Sequence, residues 1–328
     1  MPLSSHSMLK EQFTAPRLRQ ASTQDFDEQA TLLRGWNQHY AQLSAGRFSG
    51  AIVELLFDDI HLFSESTSHA LLQSGKLDED VLALGIPLHT QETGTFCGDA
   101  MSENTIHLFS GDSGFEFYSP SRLTMGGIVI RRQALQDWVG HSEPLFEVDP
   151  SAHLKTVSPK IIRQARAFLF DMFDLCRQHP ALLQGPNFRH QLREATLACV
   201  ADLLMNDRDG AERLAVQRRW KIVHQAQEYL QDIQDGTLNI EALCQELRVS
   251  RRTLQYCFNE LVGMNPNAFL RAQRLNGARQ LIKESCSVTD AATSWGFWHF
   301  GHFSQEYKKL FGELPSETLR RNGSATVS

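Results

Sequence analysis

The sequence lacks the features of secreted, membrane-spanning and most catalytic proteins. Its 328 residues contain no apolar run near the ~20 residues that a bilayer-spanning helix needs. The first residues show no basic segment followed by an apolar core, as a secretory signal would. The six cysteines include no Cys-x-x-Cys pair, which favours reduced thiols packed inside the protein. These absences predict a cytoplasmic protein with no membrane contact.

Motifs of catalysis and cofactor binding are missing as well. There is no Gly-x-Ser-x-Gly, no phosphate-binding loop and no dinucleotide fingerprint. A metal enzyme built on a small barrel is an alternative, but it needs clustered histidine and carboxylate ligands. The sequence contains no His-x-His, and the segment 85–92 offers only His89 and Glu92. We therefore predict that the protein is not an enzyme and binds no metal.

Charge is distributed unevenly along the chain. The net charge is −6, yet residues from 215 onward contain 14 Lys/Arg against 11 Asp/Glu, while the preceding part contains 18 against 27. A mildly basic segment joined to an acidic one is typical of a nucleic-acid-binding module attached to a different domain.

The pattern of hydrophobic residues also divides the chain into two parts, at about the same position as the change in charge. Apolar residues at helical spacing predict helices at 26–43, 159–178 and 188–206, and short alternating runs between 48 and 130 predict many short strands. We predict an α+β fold: a small, cupin-like β-barrel (or a sandwich) with flanking helices, followed by an all-α domain. The predicted domains are a flexible segment at 1–25, an effector-binding or dimerisation domain at 26–205, a linker at 206–217 and a DNA-binding domain at 218–325.

One helix of the second domain has two contrasting faces. It begins after Ser250, a residue suited to capping, and places Leu254 and Phe258 on an apolar face. The opposite face carries Arg251, Arg252, Gln255 and Tyr256. A short amphipathic helix precedes it after a tight connection, so 239–261 is a candidate helix-turn-helix unit.

The same pattern returns at 287–311, where the outer face carries His299, His302 and Gln305. Residues 266–283 form a connecting helix of roughly 27 Å at ~1.5 Å per residue. This length is of the same order as the ~34 Å between successive major-groove faces. One chain is therefore expected to place two reading helices on one side of a duplex.

The residue types at these positions suit DNA. Arginine and glutamine bind guanine and adenine edges bidentately, while Ser250 and Arg274 suit phosphates. Two other interpretations remain: a single helical hairpin occurs in many unrelated proteins, and His299 with His302 has the spacing of a metal pair, although no further ligand lies nearby.

The segment from Trp220 to Arg321 resembles the DNA-binding domain of the AraC/XylS transcription regulators. The motifs that carry the resemblance are Leu243-Cys-x-x-Leu-x-Val-Ser-x-Arg-Thr-Leu-Gln, Gly263-x-x-Pro, Arg274-Leu-x-x-Ala-Arg, Trp295-Gly-Phe, His302-Phe-Ser, Tyr307-Lys-x-Leu-Phe-Gly and Pro315-Ser. The resemblance implies an activator that binds double-stranded promoter DNA and works with RNA polymerase. It also implies an N-terminal domain that binds a small-molecule effector, forms a homodimer, or does both.

The N-terminal half is similar to the regulators of ethanolamine-utilisation operons. The shared motifs are Trp36-x-x-x-Tyr40, Arg47-Phe-x-Gly50, Leu56-Phe-Asp-Asp-Ile60, Gly85-Ile-Pro87, Gly114-Phe-Glu-Phe and, beyond this half, Gly296-Phe-Trp-His299. The similarity implies ethanolamine as effector, with a cobalamin as the one cofactor to consider, although the Asp-x-His-x-x-Gly cobalamin motif is absent. Carboxylates would bind such an ammonium, and the candidates are Glu54, Asp58, Glu92 and Glu116. A regulator whose N-terminal domain dimerises and senses nothing is the alternative.

Overall fold

The computed structural model describes residues 16–78, 80–110, 114–139, 153–205, 222–227, 240–284 and 287–325. The strands are β1 (Arg17–Thr23), β2 (Asn37–Gln42), β3 (Gly50–Phe57), β4 (Ile60–Thr67), β5 (Leu71–Lys76), β6 (Val81–His89), β7 (Thr95–Phe96), β8 (Asp99–Ala100), β9 (Thr105–Ser110), β10 (Phe115–Ser119), β11 (Leu123–Arg131) and β12 (Leu154–Thr156). Helices α1 (Phe26–Leu32), α2 (Arg132–Val139), α3 (Pro159–Gln178) and α4 (Pro186–Met205) belong to the same part of the chain.

The strands form two antiparallel sheets. One has seven strands in the order β1-β3-β4-β11-β6-β9-β12, and the other has five in the order β2-β5-β10-β7-β8. Among the described strands neither sheet closes on itself, because the outermost strands of each have no common ladder. The α+β class is as predicted. The closed barrel is not observed, and the sandwich is the better description.

Alternation along the central strands explains why the seven-stranded sheet is apolar on both faces. In β6, Ala83 packs with Phe96 and Phe117 between the sheets, whereas Leu84 packs under the helices with Ile162 and Leu169 of α3. Successive side chains of a strand point to opposite faces, so a strand covered on both sides reads as a continuous apolar run. The five-stranded sheet and the helices therefore cover opposite faces of the larger sheet.

Two N-terminal predictions were wrong. The helix predicted over 26–43 ends at Leu32, and after Gly35 (φ 78°) the chain continues as β2, paired with β5. Apolar residues there match helical spacing, but the ladder to β5 provides the backbone hydrogen bonds and overrides it. Of the segment 1–25 that was predicted to be flexible, residues 1–15 lie outside the described residues, while Arg17–Thr23 forms β1, which pairs with β3 over its whole length.

The described residues of the C-terminal part form helices joined by short turns, with no strand among them. It contains a helical stretch at 222–227, then α5 (Ile240–Glu246), α6 (Arg251–Val262), α7 (Pro266–Lys283), α8 (Val288–Ser294), α9 (Phe300–Phe311) and α10 (Pro315–Ala325). α7 has the predicted bounds. The predicted linker at 206–217 lies outside the described residues, so the domain boundaries stay a prediction.

An apolar core joins the N-terminal and C-terminal parts. Phe26 of α1 stacks on Phe311 of α9 with ring centroids 5.9 Å apart, and it also meets the edge of Phe48. Tyr118 of β10 lies 6.3 Å from Phe269 of α7 between ring centroids. These residues belong to one buried cluster that includes the inner faces of α6 and α7. The two parts of the chain therefore share a hydrophobic core.

Buried polar contacts fix the register of this junction. The backbone of Gln42 exchanges two hydrogen bonds with the amide of Asn276, of 3.1 Å and 3.0 Å, and its side chain donates to the Leu310 carbonyl over 2.7 Å. Arg279 of α7 bonds to Asp27 over 2.6 Å and to Asp25 over 3.1 Å, and Lys283 reaches both carboxylates over 2.6 Å. Burial alone would raise the pKa of Asp25, but these two cations hold it well below its ordinary value. The carboxylates at the N-terminus of α1 therefore bind α7 through ion pairs.

His107 of β9 is a buried base without hydrogen-bond partners among the described residues. It is 0% exposed, and its ring lies 4.4 Å from Phe96 and 4.9 Å from Phe117 between centroids. Burial lowers the pKa of His107 to about 3, because the imidazolium cannot be solvated there.

We expect the free energy of unfolding to fall from about pH 7 to about pH 5, with up to about 2 kcal/mol of the loss due to His107. The unfolded state takes up a proton near pH 6.5, whereas the folded state stays neutral down to about pH 3. Urea unfolding over this range should give a flatter profile for His107→Leu. His39→Leu removes an exposed histidine of β2 and should keep the wild-type slope. Equal slopes for all three proteins would contradict the assignment.

Candidate nucleic-acid interface

The first helix pair exposes its predicted reading face. Ser250 caps α6 by accepting from the Thr253 amide over 3.0 Å, and Arg248 in the preceding turn has φ 51°. α6 buries Leu254, Cys257, Phe258 and Leu261. On its other side Arg251, Arg252, Gln255 and Tyr256 are all exposed. The structure therefore brings these four side chains together on one solvent-facing surface. Ser250 lies at its edge with its hydroxyl engaged in the cap.

The second pair repeats this construction. Ser287 caps α8 by accepting from the Asp290 amide over 3.0 Å, and Gly296 (φ 72°) makes the turn before α9. α9 buries Phe303, Tyr307, Leu310 and Phe311. His299, His302 and Gln305 are exposed, and His302 lies 3.7 Å from Glu306. Among the described residues no cluster of three or more potential metal ligands occurs, so the two histidines gain no third ligand there.

Sequence reasoning did not single out two aromatic residues beside these histidines. Trp298 is 71% exposed and Phe300 is 43% exposed, whereas most other aromatic side chains among the described residues are buried. The motif Gly296-Phe-Trp-His contains the signal, because a tryptophan that follows a tight turn has little core to enter. Together with Tyr256, 52% exposed, they give both helix pairs an exposed aromatic side chain.

Arg274 connects α7 to the second pair. Its Nε donates to the Trp295 carbonyl over 2.7 Å, a second nitrogen donates to the Gly296 carbonyl, and its guanidinium lies 4.5 Å from the centre of the Phe297 ring. The arginine thus holds the turn between α8 and α9. These two carbonyls already accept hydrogen bonds from the guanidinium. The predicted phosphate contact would therefore have to use its remaining N–H groups.

The four carboxylates predicted to bind an effector lie in different surroundings. Glu54 is 0% exposed, forms an ion pair with Arg19 (2.5 Å) and lies 3.2 Å from Nε2 of His61. Burial raises the pKa of Glu54, but its hydrogen bonds with His61, Arg34 and Arg19 bring it below its ordinary value.

The other three are in turns or at the domain junction. Asp58 occupies the β3–β4 turn, 3.3 Å from Arg189, and Glu92 is exposed. Glu116 faces the C-terminal part, 3.3 Å from His224. The described contacts do not unite the four carboxylates in one site.

A carboxylate that sequence reasoning missed lies between the sheets. Glu65 of β4 is 6% exposed, accepts from Gln29 over 2.9 Å and from the Tyr40 hydroxyl over 2.9 Å and 3.0 Å, and lines a narrow cavity. Burial raises its pKa, and the hydrogen bonds from Gln29 and Tyr40 oppose this only in part. The alternation Phe63-Ser-Glu-Ser-Thr67 was the available signal, since it places Glu65 on the same face as Phe63.

Comparison with known proteins adds a family match to part of the chain. Residues 243–321 match the family described as "Helix-turn-helix domain". The chain is 33% identical over 98 residues to XylDLEGF operon transcriptional activator 3 of Pseudomonas putida, covering 29% of this chain and 30% of that protein. It is 38% identical over 103 residues to the probable thc operon regulatory protein of Rhodococcus erythropolis, covering 30% and 31%. The matched stretch is thus about 30% of the length of these relatives.

Similar solved structures extend over more of the chain at low identity. The AraC-like transcriptional activator CuxR has a TM-score of 0.41 and 14% identity, over 84% of this chain and 100% of that one. ToxT from Vibrio cholerae has a TM-score of 0.28 and 15% identity, over 88% and 98%. In the part of the chain that the structure describes, no helix has the length and hydropathy to cross a bilayer.

Proposed function

We propose that the protein is a cytoplasmic transcription regulator of the AraC/XylS type, which binds promoter DNA through helix-turn-helix units at 239–261 and 287–311. The observation that carries the proposal is the pair of exposed polar faces on α6 and α9, each backed by a buried apolar face and joined by α7. The helix-turn-helix match over 243–321 and the operon activators among the relatives support it.

The side chains on α6 and on α9 suit different contacts with DNA. Arg251, Arg252, Gln255 and Tyr256 would read base edges in one major-groove segment, with Ser250 and the backbone amides of the α6 N-terminus at phosphates. His299, His302 and Gln305 would face the next segment. Beside them, the exposed rings of Trp298 and Phe300 suit thymine methyl groups, which are read by apolar contact.

Arg252→Ala and Gln255→Ala should each relax base preference at one position of the operator by ~1–3 kcal/mol. The full chain would first select its operator from a random duplex library. Affinities of each variant would then be measured on that operator and on every single-base substitution, at fixed salt. A loss confined to one position marks a base contact.

Arg163→Ala is the matched control, because it removes the same charge from an exposed site on α3. It should leave base preference unchanged. If Arg252→Ala and Gln255→Ala weakened binding equally on all sequences, the two residues would be phosphate contacts and the assignment of α6 as a base reader would be wrong.

The regulator would be an activator that works with RNA polymerase. Its N-terminal part would bind the small molecule to which the regulator responds. The narrow cavity between the sheets supports effector binding, and the exposed Phe170 of α3 supports a homodimer contact. An ethanolamine-type effector rests on the sequence similarity given above, as does a cobalamin.

Thermal melting against small amines, alcohols, amino acids and cobalamins tests effector sensing, because a ligand of the native state raises the melting temperature. No shift with any of them would favour the alternative in which this part only dimerises.

A further inference from the structure

The cavity between the two sheets combines an unusual set of groups. Its polar lining includes Glu65 and Thr67 of β4, and its walls include the rings of Trp36, Phe109 and Phe115. The Trp36 ring lies 4.9 Å from Phe109 and 5.7 Å from Phe115 between centroids. These rings pack edge-to-face on one another. Aromatic rings beside a carboxylate are the combination that recognises an organic cation, because the π-systems and the carboxylate are both negative.

Two groups of this lining have unfilled bonding capacity. Among the described residues no basic side chain forms an ion pair with Glu65, and the only side chains that stabilise its charge are the amide of Gln29 and the hydroxyl of Tyr40. Thr67 is 5% exposed, and its buried hydroxyl has no hydrogen-bond partner among those residues. Leaving a buried carboxylate without a counter-charge is costly, and an ammonium group would supply both the charge and up to three donors.

The same carboxylate is connected to the DNA-binding part by two short paths. Gln29, which donates to Glu65, lies on α1, and the N-terminal carboxylates of that helix bind Arg279 and Lys283 of α7. Tyr40, the second donor, lies on β2 two residues before Gln42, which bonds to Asn276 of α7 and to the Leu310 carbonyl of α9. Both elements that support Glu65 therefore also contact α7, which joins the two reading helices, and β2 contacts α9 as well.

We propose that the cavity at Glu65 binds a small organic cation, and that its occupancy changes DNA affinity by moving α1 and β2 against α7 and α9. The proposal rests on the regulator function and names the effector class and its route. An ammonium that bonds to Glu65 must share its oxygens with Gln29 and Tyr40. Because both donors sit on elements fixed to the DNA-binding part, their displacement is transmitted to the spacing of α6 and α9. The cavity in this form has room for about one water-sized group, so binding must widen it.

The test uses the full chain and defined probes: methylammonium, ethylammonium and ethanolammonium, with methanol, ethanol and ethylene glycol as neutral counterparts of matched size. The ammonium ions should raise the melting temperature of the wild type, and the neutral compounds should not. Glu65→Gln keeps the shape and removes the charge, so calorimetric titration should show a loss of about tenfold or more in affinity. Thr67→Val, which keeps the shape without the hydroxyl, should lose a smaller factor.

Tyr40→Phe distinguishes binding of the cation from the effect of that binding on DNA affinity. It retains the ring and removes one donor to Glu65, so the variant should bind the cation and lose most of the change in DNA affinity that the cation causes in the wild type. The site is refuted if no ammonium ion stabilises the wild type or if Glu65→Gln binds equally well. The route is refuted if the cation binds while DNA affinity stays constant. Absence of DNA binding by the ligand-free and the ligand-bound chain would instead reject the regulator function, and the melting result would still decide the site.

Discussion

Replacing Arg279 by alanine is expected to lower the free energy of unfolding by about 3 kcal/mol, because it leaves two carboxylates of the domain junction short of a counter-charge. Arg279 is 3% exposed and bonds to Asp27 over 2.6 Å and to Asp25 over 3.1 Å. Its guanidinium also lies 4.4 Å from the centre of the Phe26 ring and 5.3 Å from that of Phe311. The substitution therefore removes charge, hydrogen bonds and packing at once. Equilibrium unfolding in urea at neutral pH measures the loss.

Arg271→Ala is the control on the same helix. The Arg271 side chain is 59% exposed, and its ion pair with Glu306 over 2.8 Å is a surface pair, for which a loss of about 0.2–1 kcal/mol is expected. Equal losses of unfolding free energy for the two variants would mean that the ion pairs between Arg279 and the α1 carboxylates stabilise the protein no more than a surface ion pair does. Acid should act in the same direction as Arg279→Ala, because Asp25, with its depressed pKa, contributes stability that is lost as the pH falls below about 4.

Gly277→Ala is expected to cost about 2 kcal/mol of stability and to disturb the second helix pair more than the first. A Cβ atom at Gly277 would lie 2.1 Å from the indole of Trp295, a rigid ring wedged against α7. The ring must therefore move, and with it the turn between α8 and α9 that Arg274 also holds. Footprinting on the selected operator should show weaker protection of the half that contacts α9, while the half that contacts α6 stays protected.

Gly301→Ala provides the comparison for stability. Gly301 lies in the first turn of α9, and a Cβ there meets nothing within 4 Å, so alanine should stabilise the protein by up to about 0.5 kcal/mol through its higher helix propensity. A Gly277→Ala protein as stable as wild type, with an unchanged footprint, would show that α7 and Trp295 do not set the position of α9.

Local signals explain why the helices near the reading face could be predicted from sequence. Ser250 and Asn265-Pro266 begin α6 and α7 with side-chain caps that the structure contains, and Gly263 (φ 72°) ends α6. Each of these depends on residues within one or two turns. At 26–43 the same reasoning failed, because 37–42 becomes a strand by pairing with β5, and the paired residues are between 29 (Gln42 and Leu71) and 39 (Asn37 and Lys76) positions apart.

The exposed face of α6 was predictable for the same reason, and the groups around Glu65 were not. Gln29 and Glu65 are 36 residues apart, Tyr40 and Glu65 are 25 apart, and Gln42 and Asn276 are 234 apart. No periodicity in one sequence records such pairs, since they arise when two sheets and two domains pack. Glu54 is the opposite case. The sequence marked it as a candidate ligand-binding carboxylate, but in the folded protein it is already in contact with Arg19 and His61.

The core that Phe26, Gln42 and Phe48 build with α7 and α9 limits how freely this chain can be recombined. A chimaera that joins its C-terminal helices to an unrelated sensing domain would leave the Phe311 ring without the Phe26 ring that stacks on it, and the Asn276 amide without the Gln42 backbone groups to which it bonds. Such a fusion must bring the segment 25–48 with it. We therefore expect the unit that can be recombined to be larger than the helix-turn-helix match over 243–321 and to include the first strands of the N-terminal sandwich.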